Sequence, residues 1–341
     1  MSMTIGIHRV TAIVTLIVVA ASAASQDAPA VEPPADRPAV KVYLLAGQSN
    51  MEGKGAVNTL PWIGEDLEYG PLLQTIQNDD GSWREGDGVW IDFLGRRGRL
   101  TVGYGSTGSP HGPLIGPEYG FGMTVGAAND EPILLVKAAW GGKDVAQDFR
   151  GPTLGGPDGP GEFYRRTIEH LKSTIAELDQ RFPELAGRRT VLAGIVWFQG
   201  WNDMVNKEKT AAYATNLAQM IRDLRTDLDA PDCPVVIGEL GVHGDRAKGG
   251  MLVFRAAQAA VAEQPDLKGN VKLVRTAEFY DRIAHDLYEK DVWKGPSKKR
   301  FYRIASDRPY HYLGSGKTQF LMGKALGDAM IEMEANSPAR P

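Results

Sequence analysis

Five short apolar runs constrain this chain more than any other feature: Val42–Ala46, Ile133–Ala139, Val191–Phe198, Val235–Leu240 and Val271–Val274. An extended strand points successive side chains to opposite faces, so a largely apolar run needs cover on both sides. The segments between them repeat at helical spacing instead. Ile168, Leu171, Ile175 and Leu178 step by three and four, as do Tyr213, Leu217, Ile221, Leu224 and Leu228. A last helix is expected from about Ser315 to Glu334. Strands alternating with helices predict a doubly wound α/β fold built on a parallel sheet.

The stretch from Pro61 to Gly122 breaks that rhythm. Asp80-Gly81, flanked by Trp83 and Trp90, predicts a β-hairpin inserted after the first strand. Gly103–Gly122 then carries seven glycines and three prolines, too many for a regular element. Long structured loops of this kind are more often functional than idle.

The amino terminus reads as an export signal. His8 and Arg9 precede the apolar run Val10–Ala21, and Ala21-Ser22-Ala23 is a small-residue exit. Even extended to Ala24, the run is short of the ~20 residues a membrane span needs. Four prolines between residues 25 and 39 then predict a stiff, disordered linker. The expected organisation is a signal peptide over 1–24, a linker over 25–39, a folded domain over 40–336 and a tail over 337–341. The expected location is secreted or periplasmic, with no stable membrane insertion once the signal is removed. A net charge of −4 offers no basic surplus to displace counterions from phosphates, which argues against a nucleic-acid partner. Cys233 is the only cysteine, so no intramolecular disulfide or four-cysteine zinc site can form.

Ligands of open parallel sheets bind beyond the carboxyl ends of the strands, so the residues after each run carry the chemistry. The first run leads into Gly47-Gln-Ser49-Asn-Met-Glu-Gly53. The second leads into Trp140-Gly141-Gly142-Lys143-Asp144, and the third into Gln199-Gly200-Trp201-Asn202-Asp203. Asp307-Arg-Pro-Tyr-His311 stands before the last helix. A hydroxyl, a glycine pair, carboxamides and an Asp/His pair are the parts needed for acyl transfer. Ser49 is the candidate nucleophile, and His311 is the candidate base. Gly141 or Gly142 can bring a backbone N–H close to a substrate oxygen, and Asn202 or Gln199 can add a side-chain donor. His170 and His285 fall in helix-like or charged segments, whereas His111 and His243 lie in loops and stay open as bases. Glu118 reads as a cap or scaffold residue. Glu239 and His243 lack a third ligand, so no metal site is expected. Trp140 and Trp201 could stack on a sugar or pack the sheet edge, and Lys143 and Arg150 could meet an acidic sugar or face solvent.

These blocks resemble the SGNH (GDSL-type) hydrolase superfamily, and within it the sialate O-acetylesterase and acetyl-xylan-esterase-like branch. Gly47-Gln-Ser-Asn-Met51 is similar to the branch's nucleophile block, Gly141-Gly142 to the oxyanion block, Gln199-Gly-Trp-Asn202-Asp203 to the third block and His311 to the last. The resemblance spans about Lys41 to Met333. It implies a three-layer α/β/α fold with cofactor-free serine-ester chemistry. The oxyanion would be held by N–H groups of Ser49 and Gly142 and by Asn202 or Gln199. The implied partner is an acetylated polysaccharide or sialic acid; oligomeric state is not implied. One departure stands out. The family's aspartate usually precedes its histidine by three residues, whereas Asp307 precedes His311 by four, with Pro309 between them forbidding a regular helix. Either the carboxylate still reaches the imidazole, or a different acid takes that role, or the site works as a serine–histidine dyad. A carbohydrate-binding protein without turnover, and a lipase or thioesterase of the same superfamily, remain the alternatives.

Overall fold

The computed structural model describes residues 37–336, together with Ser2. The expected signal segment, all but the last three residues of the expected linker and the expected tail lie outside residues 37–336. Among the described residues no helix is long and apolar enough to cross a membrane.

Seven strands form the central sheet: β1 (Val40–Gly47), β2 (Val89–Phe93), β3 (Arg96–Arg99), β4 (Ile133–Ala139), β5 (Thr190–Phe198), β6 (Val235–Gly238) and β7 (Val271–Val274). Their order is β3-β2-β4-β1-β5-β6-β7, parallel throughout except for β3 at one edge. Four predicted runs lie wholly in strands, the run Val235–Leu240 leaves the sheet after Gly238, and the main helices flank the sheet in the expected three-layer α/β/α arrangement. These are α2 (Pro117–Ala127), α3 (Glu162–Ala176), α4 (Lys207–Asp227), α5 (Gly250–Ala262) and α6 (Gly316–Ala335); a short α1 (Ser49–Glu52) follows β1. Gly47 of β1 pairs with Ala139 of β4 on one side and with Phe198 of β5 on the other. The three central strands therefore end level, and the segments that follow them emerge together.

The insertion after β1 differs from expectation. Asp80-Gly81 does form a turn, in which Asp80 Oδ1 accepts bonds from the Ser82 N–H (2.9 Å) and hydroxyl (2.6 Å). Only a single bridge, Gln77 with Trp83, closes around it. The true hairpin is β2–β3, turned through Leu94 and Gly95, both with positive φ (51° and 92°). The Glu85-Gly-Asp-Gly88 segment explains the displacement, because two glycines and two carboxylates cannot sustain a strand directly after Asp80-Gly81.

Two features anchor the loops that build the site. Helices α2 and α6 approach so closely that a Cβ at Gly120 would overlap the Phe320 carbonyl, and one at Gly323 would overlap the Pro117 carbonyl. Beneath the first loop, Lys137 in the middle of β4 is fully buried. Its ammonium donates to Glu118 Oε2 (2.7 Å), Glu52 O (2.9 Å) and Tyr104 O (2.9 Å), while Glu118 Oε1 accepts from Gly116 N (2.8 Å). Three acceptors satisfy three N–H groups, which offsets the cost of taking the charge out of water. Glu118 is thus the scaffold residue expected of it, and Lys137 ties α1, the glycine-rich loop and α2 to the sheet.

Candidate active site

Gly47 ends β1 with φ at +155°, and a Cβ there would overlap the Phe198 carbonyl. Only glycine fits, so the chain turns sharply and places Ser49 first in α1, only 7% exposed. Asn50 Nδ2 donates to the Tyr310 carbonyl (3.2 Å). The residue after Ser49 is thereby fixed to the residue before His311.

Gly141 lies against the nucleophile turn: a Cβ built on it would sit 3.8 Å from Ser49 Cβ, in ordinary contact. Gly142 adopts a left-handed φ of +73°, which glycine takes at little cost. Among the described residues none accepts a hydrogen bond from the N–H groups of Ser49, Gly141 or Gly142. Asn202 Nδ2 donates one proton to Gly142 O (2.9 Å), which leaves its second free, and Asn202 Oδ1 accepts from Gln48 Nε2 (3.2 Å). Gln48 Oε1 in turn accepts from Gly200 N (3.0 Å). Gln48 therefore aims Asn202, a role not read from the sequence although the glutamine stands in the nucleophile block.

Gln199 is placed differently from its sequence neighbour. It is 1% exposed, its amide donates to Lys143 O (3.0 Å) and Asp203 Oδ2 (2.6 Å), and its Oε1 accepts from Tyr213 (3.1 Å). With both N–H groups committed, Gln199 braces the glycine loop from below, and Asn202 is left as the side-chain donor. Asp203 works with it, accepting from Val145 N (3.1 Å) as well. Burial pushes the Asp203 carboxyl up to about 6, against the lowering by those donors. Because its folded pKa lies above the unfolded value near 3.8, the group favours the folded state below pH 4, and that contribution is lost as pH rises through about 6. Asp203→Asn, which mimics the neutral form, should therefore gain stability relative to the native chain between pH 4 and 7, by about 3 kcal/mol at most. Denaturant midpoints of both proteins across that range check this; a constant difference would contradict it.

The histidine loop resolves the extra residue. His311 Nδ1 lies 2.8 Å from Asp307 Oδ2, and Arg308 N donates to Asp307 Oδ1 (2.7 Å). The loop closes on itself because the N–H groups of Ser306 (2.7 Å) and Asp307 (2.9 Å) both donate to Leu313 O. Tyr312 and Leu313 take left-handed φ values of 52° and 59°, a strained choice for large side chains. The fully buried Tyr312 holds them there, its hydroxyl bonding Gly241 N (2.7 Å) and Thr276 Oγ1 (2.7 Å). Burial raises the Asp307 carboxyl pKa, but the His311 bond and charge, the Arg308 amide and the Lys54 charge outweigh it, so the group lies below its usual range.

The other sequence candidates separate cleanly. Trp140 packs against Phe149 and Phe163 rather than standing clear. Trp201 lies 5.4 Å from the exposed ring of Tyr310, which meets His311 edge-on at 4.5 Å; these two form an aromatic wall beside the imidazole. Lys143 pairs with Asp148 (3.4 Å), and Arg150 reaches the Gly159 carbonyl (3.4 Å). His170 is committed to Asp92 (3.7 Å), and His243 and His285 pack against each other and Tyr280. Among the described residues no group of three or more His, Cys, Asp or Glu is arranged to hold a metal ion.

Comparison with known proteins bears on the fold and the family. The probable carbohydrate esterase At4g34215 of Arabidopsis thaliana is 23% identical over 223 residues, 62% of this chain and 72% of that protein. Its crystal structure superposes with a TM-score of 0.53 at 17% identity, covering 86% of this chain and 99% of that one. The crystal structure of NanS gives a TM-score of 0.55 at 15% identity, covering 88% and 99%. The fold is thus the SGNH-hydrolase-like one that the motifs implied. The family model described as carbohydrate esterase, sialic acid-specific acetylesterase matches residues 39–285. That range holds Ser49, the glycine pair, Gln199 and Asn202 but stops short of Asp307 and His311, whose pairing is a finding of the structure. Matched over most of its length, the chain belongs to the carbohydrate esterase family of sialic acid-specific acetylesterases.

Proposed function

We propose that this protein is an exported serine esterase that removes O-acetyl groups from carbohydrates. The observation that carries the reading is the Asp307–His311 pair, fixed through Tyr310 and Asn50 to the turn that bears Ser49. His311 takes the Ser49 proton as Oγ attacks the ester carbonyl, and Asp307 holds the imidazole by its Nδ1–H. The oxyanion is received by the N–H groups of Ser49 and of Gly141 or Gly142 and by the free amide proton of Asn202. The alcohol departs with the proton from His311, and water then releases acetate by the reverse route. The signal-like amino terminus supports export, and the names of the family and of the Arabidopsis relative support a carbohydrate ester.

Acetate release from acetylated polysaccharides, monosaccharides and sialic acid, set beside a series of 4-nitrophenyl esters, tests the proposal. Turnover that falls as the acyl chain lengthens beyond acetyl is expected. A preference for long acyl chains would favour the lipase or thioesterase alternative, and no turnover of any ester would favour a binding protein. Asn202→Ala should lower kcat by about 10²–10³ with little change in KM, as expected for a donor that acts mainly on the oxyanion. An unchanged kcat would remove Asn202 from the mechanism.

A further inference from the structure

The nucleophile turn carries a carboxylate that the mechanism does not use. Glu52 closes α1, one turn after Ser49, and its side chain reaches the glycine loop. A Cβ built on Gly141 would sit 3.3 Å from Glu52 Oε2 and 3.8 Å from Ser49 Cβ, so the carboxylate, the nucleophile and the loop surround one point. That position is unfavourable for ester hydrolysis. Attack on the carbonyl creates a negative charge beside the N–H groups of Ser49 and Gly141, and a carboxylate nearby repels it. The neutral ester in the ground state feels no such repulsion, so the penalty falls on the transition state.

One cation offsets it. Lys54 Nζ lies 3.2 Å from Glu52 Oε2, and among the described residues no other cation pairs with that carboxylate. Ser106 Oγ holds the ammonium there, accepting from it at 2.6 Å. Ser106 is itself fixed, because its N–H donates to Gly53 O (2.9 Å). Arg96 ties down the loop leading to it, donating to the carbonyls of Gly103 (3.1 Å) and Gly105 (2.6 Å). The glycine-rich stretch thus grips the cation that faces Glu52. The side chains of Lys54 and Glu52 are only 20% and 24% exposed, so water screens them less than it screens a surface pair. Asp307 lines a cavity together with Lys54, but the ion pair it forms is with His311. Lys54 is therefore committed to Glu52.

We propose that Lys54 is a positioning residue of the esterase: anchored by Ser106, it neutralises the Glu52 carboxylate, so that the oxyanion forms beside a neutral pair. This rests on the esterase reading above. The test uses the full-length protein and 4-nitrophenyl acetate, an uncharged ester. Lys54→Met should lower kcat roughly tenfold with KM little changed, the scale of one unit charge a few ångströms from another. Lys54→Gln, which keeps a donor for Ser106 without the charge, should lose as much. In a Glu52→Gln background either substitution should cost less than about threefold, because the charge it would expose is gone. The loss in the native background should also shrink at an ionic strength of about 1 M, where screening acts within about 3 Å. Equal losses in both backgrounds, unmoved by salt, would make Lys54 a packing residue or a partner of Asp307 and overturn the proposal while leaving the esterase reading standing. Failure of the native protein to hydrolyse the ester would overturn both.

Discussion

Ser49→Ala should abolish ester hydrolysis, with a loss of about 10⁶-fold in kcat, the scale seen when a serine hydrolase loses its nucleophile. The reasoning starts from position. Ser49 opens a short helix forced into place by Gly47, and its N–H and the Gly141 backbone lie together beside it. Removing one oxygen leaves those donors and the His311–Asp307 pair intact, so the variant keeps the site's shape and loses only the bond-forming atom. Its stability should stay within about 0.5 kcal/mol of native, because no hydrogen bond to another described residue is lost. Single-turnover release of 4-nitrophenol together with a thermal melt checks both halves. Retained turnover, or a collapsed melt, would each contradict the assignment.

Asp307→Asn should lower kcat by about 10⁴, the size of the corresponding change in the serine-protease triad. An amide at this position presents the wrong partner to the His311 Nδ1–H, so the ring takes the unproductive tautomer, and the forming imidazolium loses its counter-charge. Asp307→Ala should fall comparably, since it also lacks the negative charge. Were the ring held by something else, in a serine–histidine dyad, both variants would lose less than about tenfold, or 1.4 kcal/mol. The 2.8 Å contact between His311 and Asp307 favours the first outcome. A second signature accompanies it. Asp307 is ionised down to low pH, so its contribution to stability is present above about pH 4 and lost as pH falls through its depressed pKa. Asp307→Asn should flatten that part of the acid-unfolding profile.

Much of this was legible in the residues, and the exceptions have physical causes. The first four apolar runs are buried on both faces, and the edge run Val271–Val274 is half-buried, a pattern that survives without knowledge of partners. Strand β2 escaped notice because Asp92 interrupts it. That carboxylate is fully buried and satisfied by Arg181 (3.0 Å) and the Gly95 N–H (2.8 Å), neither visible as a partner beforehand. The β2–β3 turn was missed because Leu94 at positive φ carries no sequence signature. The candidate nucleophile, glycines and asparagine were readable as residues following strand ends, and the histidine as one standing before the last helix. What the sequence could not supply was pairing across distance. Gln48 aims Asn202 across 154 positions, and Asn50 reaches Tyr310 across 260. The four-residue spacing of Asp307 and His311 looked discordant only because two left-handed residues, held by Tyr312, close the loop.

The central claim is that Ser49, activated by His311, attacks acyl esters, and covalent capture tests it most directly. Native protein treated with a fluorophosphonate should gain the mass of one adduct, and peptide mapping should locate it on the segment containing Ser49. Ser49→Ala and His311→Ala should gain none. An adduct on another residue, or none on the native protein under conditions that label a known serine esterase, would contradict the account.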